Sequence, residues 1–155
     1  MTSTSLTNSA SRAVTAARLL LGFGFFVFGL NGFLGFMPNP EHTGAAGAYL
    51  GGLAAAGYMF PFIKGTELLV GVLLLANRFV PLALTVLAPV MLNIVAFHLF
   101  LEPATLLVPL ALLALHLYLA YSYRAAYAPL LTARPSQRTQ VSSSWPSHPA
   151  TVPAQ

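Results

Sequence analysis

The sequence predicts an all-α fold, a transmembrane four-helix bundle with a short extra helix between spans 1 and 2. Of the 155 residues, 57% are apolar and 6% are charged, too few charges to coat a soluble globule. Aromatic residues make up 12%, which argues against a disordered chain. A spanning helix needs about 20 apolar residues, so four spans fit within this length.

The spans follow from apolar runs separated by short polar or proline-containing turns. They are predicted at about residues 16–36, 60–76, 79–100 and 104–123, within a membrane domain of residues 16–131. A polar N-terminal segment, residues 1–15, precedes them, and a Ser/Pro-rich tail, residues 132–155, is expected to be disordered. The first run exceeds the ~7–15 residues of a signal-peptide core and ends in Met37-Pro38, which favours a permanent helix.

The arginines predict the orientation of these spans. Basic residues of short loops stay on the cytoplasmic side. With four spans, all of the flanking arginines fall on one side, namely Arg12, Arg18, Arg78, Arg124, Arg134 and Arg138. Glu41 and Glu102 fall on the other. A fifth span at residues 45–62 would break the rule three times, so we expect a multi-pass protein with its N- and C-termini cytoplasmic.

Composition excludes several other functions. The chain has no cysteine, which removes disulfide exchange, thiolate nucleophiles, iron–sulfur clusters and Cys-ligated zinc. Its net charge of +4 comes from single arginines beside apolar runs, not from the basic stripe of a nucleic-acid-binding protein. The expected partner is therefore the lipid bilayer and not nucleic acid.

Five polar residues inside the predicted spans are the candidates for a site: Asn31, Lys64, Glu67, Asn93 and His98. At ~1.5 Å rise per residue, Asn31 and Lys64 lie about 6–8 Å from the outer ends of their helices. Glu67 and Asn93 lie about 10 Å in, and His98 about 3 Å in. Polar residues from three spans thus converge in the outer half of the bilayer, where such residues usually face the bundle interior and mark a site.

Each candidate has a structural and a functional interpretation. Lys64 and Glu67 are three residues apart and share one helix face, either as a neutral ion pair or with Glu67 as a proton-handling or ligand-binding carboxylate. Asn31 and Asn93 fit interhelical hydrogen bonds better than ligand contacts. His98 is either an interfacial side chain or a proton relay.

Intramembrane metal or haem is not expected. His116 lies about 18 Å from the outer end of the fourth span, so it cannot share an iron with His98. A di-metal carboxylate site needs several Glu or His ligands on facing helices, and Glu67 is the only carboxylate within a span. His116 is therefore expected to be a bundle histidine that is hydrogen-bonded to a neighbour.

The chain resembles the DoxX family of small four-helix bacterial membrane proteins. The resemblance lies in ARLLLGFGFFVFGLNGFLGF (17–36), in YMFPFIKGTELLVGVLLLANRFVPLAL (58–84), in APVMLNIVAFHLFL around Asn93 and His98, and in the last span ending in YLAYSYRAAYAPLL. The resemblance covers residues 15–131 and implies a four-helix bundle in a bacterial inner membrane. It also implies a role beside oxidoreductases or in quinone chemistry, with Asn31, Lys64, Glu67 and Asn93 as the polar centre.

Three functions remain open at this point. The first is a membrane subunit that binds a small amphiphile or quinone around Glu67 and supports a redox partner protein, with no intrinsic cofactor. The second is a stand-alone enzyme or transporter for an apolar small molecule, with Glu67 as its catalytic, proton-handling group. The third is a structural scaffold, and a homo-oligomer is compatible with each.

Overall fold

The computed structural model describes residues 3–38 and 41–131, with side chains for residues 11–38 and 41–129, and this part of the chain is helical without strands. The six α-helices are α1 (Ser3–Leu34), α2 (Gly44–Ala55), α3 (Met59–Leu75), α4 (Val80–Phe100), α5 (Leu107–Ser122) and α6 (Arg124–Tyr127). Short 3-10 turns occupy Pro103–Thr105 and Ala128–Leu131. The predicted all-α class is confirmed, and the predicted tail lies outside the described residues.

The apolar helices indicate a membrane protein. Within the described residues, Ser11–Leu34 of α1 and Val80–Phe100 of α4 are long and apolar enough to cross a bilayer. Helices α2 and α3 meet at a 91° bend and would add a third span if they act as one, whereas α5 is apolar but has 16 residues. Large apolar side chains are freely exposed along the helices, Phe23 and Leu107 among them. Lipid is the environment that suits such a surface, because contiguous exposed apolar patches of this kind are rare on soluble monomers.

Helices α1 and α3 pack antiparallel at a distance that only glycine permits. A Cβ on Gly29 of α1 would lie 2.5 Å from the backbone nitrogen of Leu68, and one on Gly22 would lie 2.9 Å from the Cβ of Leu74. Gly71 of α3 makes the reciprocal contact with the backbone of Phe26. Small residues that let two backbones approach are the usual device of helix pairing in lipid. The seam fixes which residues of α1 and α3 lie side by side.

Helices α4 and α5 complete the bundle around an apolar core. Helix α5 packs on α1 and α4, and α4 packs on α3. The fully buried core side chains come from all four long helices and include Leu21, Phe25, Leu74, Leu84, Leu87, Met91 and Leu119. This core lies towards one end of the bundle, so the other end is left with space between the helices.

The two ends of the bundle differ in character. The upper end, as we call it, carries the residues after α1 (35–38 and 41–43) and the turn after α4 (residues 101–106). The lower end carries the turn from α3 to α4, in which Asn77 has a φ of 54° and Arg78 N donates to Leu73 O over 2.9 Å. This is a Schellman motif, and asparagine tolerates its left-handed position better than most residues.

Candidate functional site

Three adjoining cavities open the upper half of the bundle. The chamber, of about 450 Å³, lies between α2, α3 and α4. The slot, of about 300 Å³, lies between α1, α3, α4 and α5, and the loop pocket, of about 630 Å³, lies between α1, its following loop and α3. Lys64 and His98 line all three cavities, and Glu67 lines the chamber and the slot. Asn93 lines the chamber and Asn31 the loop pocket, so all five candidate residues border this space.

Lys64 and Glu67 form the ionic centre of the site. Lys64 Nζ donates to Glu67 Oε2 over 2.8 Å, one turn along the same face of α3. The Glu67 side chain is 3% exposed and that of Lys64 is 24% exposed. A buried carboxylate requires a partner because desolvation of an isolated charge is costly. The bond from Lys64 therefore offsets part of the desolvation of Glu67, and both side chains line the chamber and the slot.

His98 presents one ring nitrogen for further chemistry. Its Nδ1 lies 2.8 Å from the carbonyl oxygen of Ile94, one turn earlier on α4. A carbonyl only accepts, so Nδ1 carries the proton, and in the neutral ring Nε2 is then a proton acceptor. Phe97 packs edge-on against the ring at 5.2 Å between centroids. Because His98 lines all three cavities, a ligand in any of them meets this side chain.

The two asparagines hold the walls of the site. The Asn31 side chain accepts a hydrogen bond from the backbone nitrogen of Met37 over 2.7 Å and so closes the loop after α1. Asn93 of α4 exchanges hydrogen bonds with the Tyr49 hydroxyl of α2, 3.0 Å from its Oδ1 and 2.8 Å from its Nδ2. Asn93 thus links two helices, whereas Asn31 fixes a loop.

Residues that the sequence analysis did not select form the rim of the chamber. His42 Nδ1 lies 3.1 Å from Glu102 Oε1 and joins the loop before α2 to the turn after α4. Phe97 packs against His42 at 5.9 Å and Tyr49 at 5.7 Å between ring centroids. The sequence offered one indication that these residues could meet, because His42 and Glu102 both fall in loops on the same side of the membrane in the four-span prediction. Their pairing could not be read from the sequence because the residues are 60 positions apart.

The slot is lined by fewer polar side chains than the chamber. Beyond Lys64, Glu67 and His98, its walls are Phe25, Phe28, Ile94, Thr105, Val108, Pro109 and Leu112. Phe25 is fully buried at its base. A ligand-sized cavity with apolar walls and a few convergent polar groups is typical of small-molecule sites. The site can therefore accept a polar head at Lys64 and Glu67 and an apolar tail beside Phe28.

His116 does not join the site. It is buried on α5 and lines none of these three cavities. Among the described residues its Nδ1 has no hydrogen-bond partner, so the neighbouring partner expected from the sequence is not present at that nitrogen. No group of three or more His, Asp or Glu side chains is arranged to hold a metal ion in the described ranges.

The chain was compared with protein-family models, curated proteins and solved structures. None of them matches it. A function for this chain therefore has to be inferred from the side chains that line the site.

Charge is distributed unevenly along the bundle. All three carboxylate side chains of the chain, Glu41, Glu67 and Glu102, line the chamber. Lys64 is the one lysine or arginine there, so the chamber is anionic overall when its histidines are neutral. Helix α1, by contrast, carries its buried arginine, Arg18, at the lower end.

Proposed function

We propose that the chain is a four-span protein of the bacterial inner membrane, with its upper end outside and both termini cytoplasmic. The α1–α3 register supports α3 as a span, because Gly22 and Gly32 of α1 contact residues 74 and 64 of α3, so that the two helices run side by side over most of α3. Helix α5 follows α1 in the same way, from the slot at Phe28 to a cavity shared by Arg18 and Ser122. Helix α3 has 17 residues and α5 has 16, close to the ~17 that a short span requires.

Its function in this proposal is to bind a small amphiphile, with a quinone as the ligand that fits best. The observation that carries the proposal is that Lys64, Glu67 and His98 line both the polar chamber and the apolar slot. A quinone head needs hydrogen-bond donors, and Lys64 Nζ has three, of which one is engaged by Glu67. Its isoprenoid tail needs an apolar channel, which the slot supplies.

The side chains have distinct roles in this site. Glu67 accepts or relays a proton, Lys64 sets the charge state of Glu67, and His98 offers Nε2 as a second proton acceptor. Asn31 and Asn93 orient the head group indirectly, by holding the Met37 loop and Tyr49 at the walls. A bound quinone would supply the reversible uptake of electrons, and these side chains would exchange protons with it.

The same proposal includes a redox partner protein. The resemblance to the DoxX family supports this part, because that family is associated with oxidoreductases. In this proposal the partner protein supplies the electrons for a bound quinone. Capture of a cofactor-bearing partner from membranes by the tagged chain tests this part separately.

Obstruction of the slot tests the ligand proposal. Leu112→Trp fills the slot from α5, whereas the matched control Leu117→Trp adds the same ring to an exposed position on that helix. We expect a short-tailed benzoquinone to bind Leu112→Trp at least about tenfold more weakly than the control, because its tail loses an apolar site. Equal affinity for two folded variants would refute tail binding in the slot, and no binding to the wild type would favour a scaffold.

A second candidate is proton-coupled transport of a lipophilic cation. The observation that favours it is the excess of carboxylates in the chamber, together with the aromatic rings of Tyr49 and Phe97. Proteoliposomes with an imposed pH gradient separate the candidates. Gradient-driven uptake of tetraphenylphosphonium that is lost in Glu67→Gln and kept in Thr43→Ala, a position that does not line the chamber, would support transport. Quinone binding without such uptake would support the first candidate.

A further inference from the structure

A separate cavity of about 430 Å³ opens at the lower end of the bundle, away from the ligand site. Its walls come from α1, the α3–α4 turn and the end of α5, and consist of Ser11, Val14, Thr15, Arg18, Asn77, Ser122 and Tyr123. No carboxylate is among them. The cavity has no role in the proposed function.

Arg18 is a buried cation beside this cavity. It is 8% exposed, and its Nη1 donates to the carbonyl oxygens of Leu74 and Leu75 at the end of α3, the latter over 3.2 Å. Arg18 thereby caps the C-terminal end of α3, but the carbonyls that accept its hydrogen bonds are dipoles and not a counter-charge. All three carboxylate side chains of the chain line the chamber at the other end, so no acidic side chain neutralises Arg18. A buried charge is normally paired with an ion of opposite sign.

Arg18 lines the cavity, and two of its nitrogens are left without a hydrogen bond among the described residues. Nε and Nη2 make no hydrogen bond within the described residues, in contrast to Nη1. Among the described residues, His116 Nδ1 is the one side-chain nitrogen or oxygen that is both fully enclosed and without a hydrogen bond. Nε and Nη2 of Arg18 also lack a hydrogen bond, so they are not fully enclosed. A guanidinium with two open nitrogens matches the paired oxygens of a phosphate.

Other groups around the cavity suit the same ligand. Asn77 and Ser11 each have a side-chain donor without a hydrogen bond among the described residues. Thr15 and Ser122 instead donate to carbonyls of their own helices. Three wall residues are each followed in sequence by an exposed arginine, namely Arg12, Arg78 and Arg124. The surroundings of the cavity are therefore cationic.

We propose that this lower cavity binds an anionic phosphate group, with Arg18, Asn77 and Ser11 as its donors. Basic pockets between transmembrane helices on the cytoplasmic side are the usual sites for anionic phospholipid head groups. The same donors would also hold inorganic phosphate. The shared chemistry is a phosphate oxyanion that neutralises Arg18.

The experiment measures thermal unfolding of the full chain in a neutral detergent, with added phosphatidylglycerol, phosphatidylcholine or inorganic phosphate. A ligand that binds the folded state raises the unfolding temperature. We expect phosphatidylglycerol to raise it and phosphatidylcholine to raise it less. If inorganic phosphate produces the rise, the site is supported with free phosphate as its ligand.

Variants connect the effect to the cavity. Arg18→Gln removes the charge, but it also removes the α3 cap. The double variant Ser11→Ala/Asn77→Gly therefore serves as a second test, because glycine keeps the left-handed turn while the amide donor is lost. Thr43→Ala, at the other end of the bundle, is the control. We expect the double variant to bind at least about tenfold more weakly than the control. Equal response of the double variant and the control, or no response of the wild type to any probe, would overturn the proposal.

Discussion

Gly32 of α1 lies directly against the side chain of Lys64 of α3. A Cβ at position 32 would lie 2.8 Å from the Lys64 Cβ and would overlap the Cγ as well. From this contact the Lys64 side chain extends to Glu67 and donates to its carboxylate. The glycine seam between α1 and α3 thus continues into the site and positions its cation.

Gly32→Ala should consequently disturb the ion pair. The added methyl group overlaps the Cβ and Cγ of Lys64, close to the backbone, where rotation of the outer part of the side chain cannot relieve the overlap. Lys64 is displaced, and Glu67 is left buried without its partner. We expect a loss of about 1–3 kcal/mol in the free energy of unfolding. Chemical denaturation in detergent measures it. Gly51→Ala is the matched control, since a Cβ there meets open space. An equal stability of the two variants would show that Lys64 can move without cost.

Lys64 and Glu67 should also be coupled in a double-mutant cycle. Lys64→Met leaves an uncompensated carboxylate that is 3% exposed, and we expect it to cost about 3 kcal/mol in unfolding free energy. Glu67→Gln should cost less, because the partly exposed Lys64 can reach a polar surface. The double variant Lys64→Met/Glu67→Gln should recover at least half of the loss of Lys64→Met. Additive losses, measured by denaturation in detergent, would mean that the two charges do not stabilise each other.

The Tyr49–Asn93 link should hold α2 against the bundle. Helix α2 is short and contributes little to the core, so this bond and the ring contact with Phe97 are its main attachments to α4. We expect Tyr49→Phe to lower amide hydrogen-exchange protection in residues 44–55 about fivefold, the equivalent of about 1 kcal/mol. Tyr58→Phe, at an exposed ring, should leave protection unchanged. Equal exchange in both variants would mean that the bond does not restrain α2.

The proposed orientation gives a topology prediction. A reporter that is active only outside the cytoplasm should be inactive when fused after Tyr127 and active when inserted at Thr43. The reason is that the basic residues of the short loops and termini share one side in the four-span arrangement. An active fusion after Tyr127 would contradict four spans with a cytoplasmic C-terminus. The insertion at Thr43 is the internal control for expression.

Much of the polar site could be predicted from helical depth alone. Lys64, Glu67, Asn93 and His98 were selected because polar residues at similar depth on different helices tend to converge, and they do line adjoining cavities. His42 and Tyr49 were missed. Their positions depend on the path of the chain after α1, which places α2 against α4. The periodicity of apolar residues carries no information about such long-range contacts.

Arg18 shows the limit of an argument from composition. Beside an apolar run it indicates orientation, and this interpretation treats it as an interfacial charge. In the folded chain it is buried against the end of α3, where its Nη1 donates to the carbonyl oxygens of Leu74 and Leu75. No pattern in α1 reveals that partner, which lies more than 55 residues further along the chain.

The sequence by itself determined the helical class, the apolar surface and the few polar residues within apolar runs that are the candidates for a site. Those properties depend on local composition and on the period of a helix, both of which are present in the linear chain. The tertiary structure decided which of these residues meet. It set Gly32 against Lys64, joined the polar chamber to the apolar slot, and buried Arg18 far from every carboxylate side chain. Such pairings depend on the register of helices that pack through glycine contacts a few ångströms apart, and a one-residue shift in that register would break them.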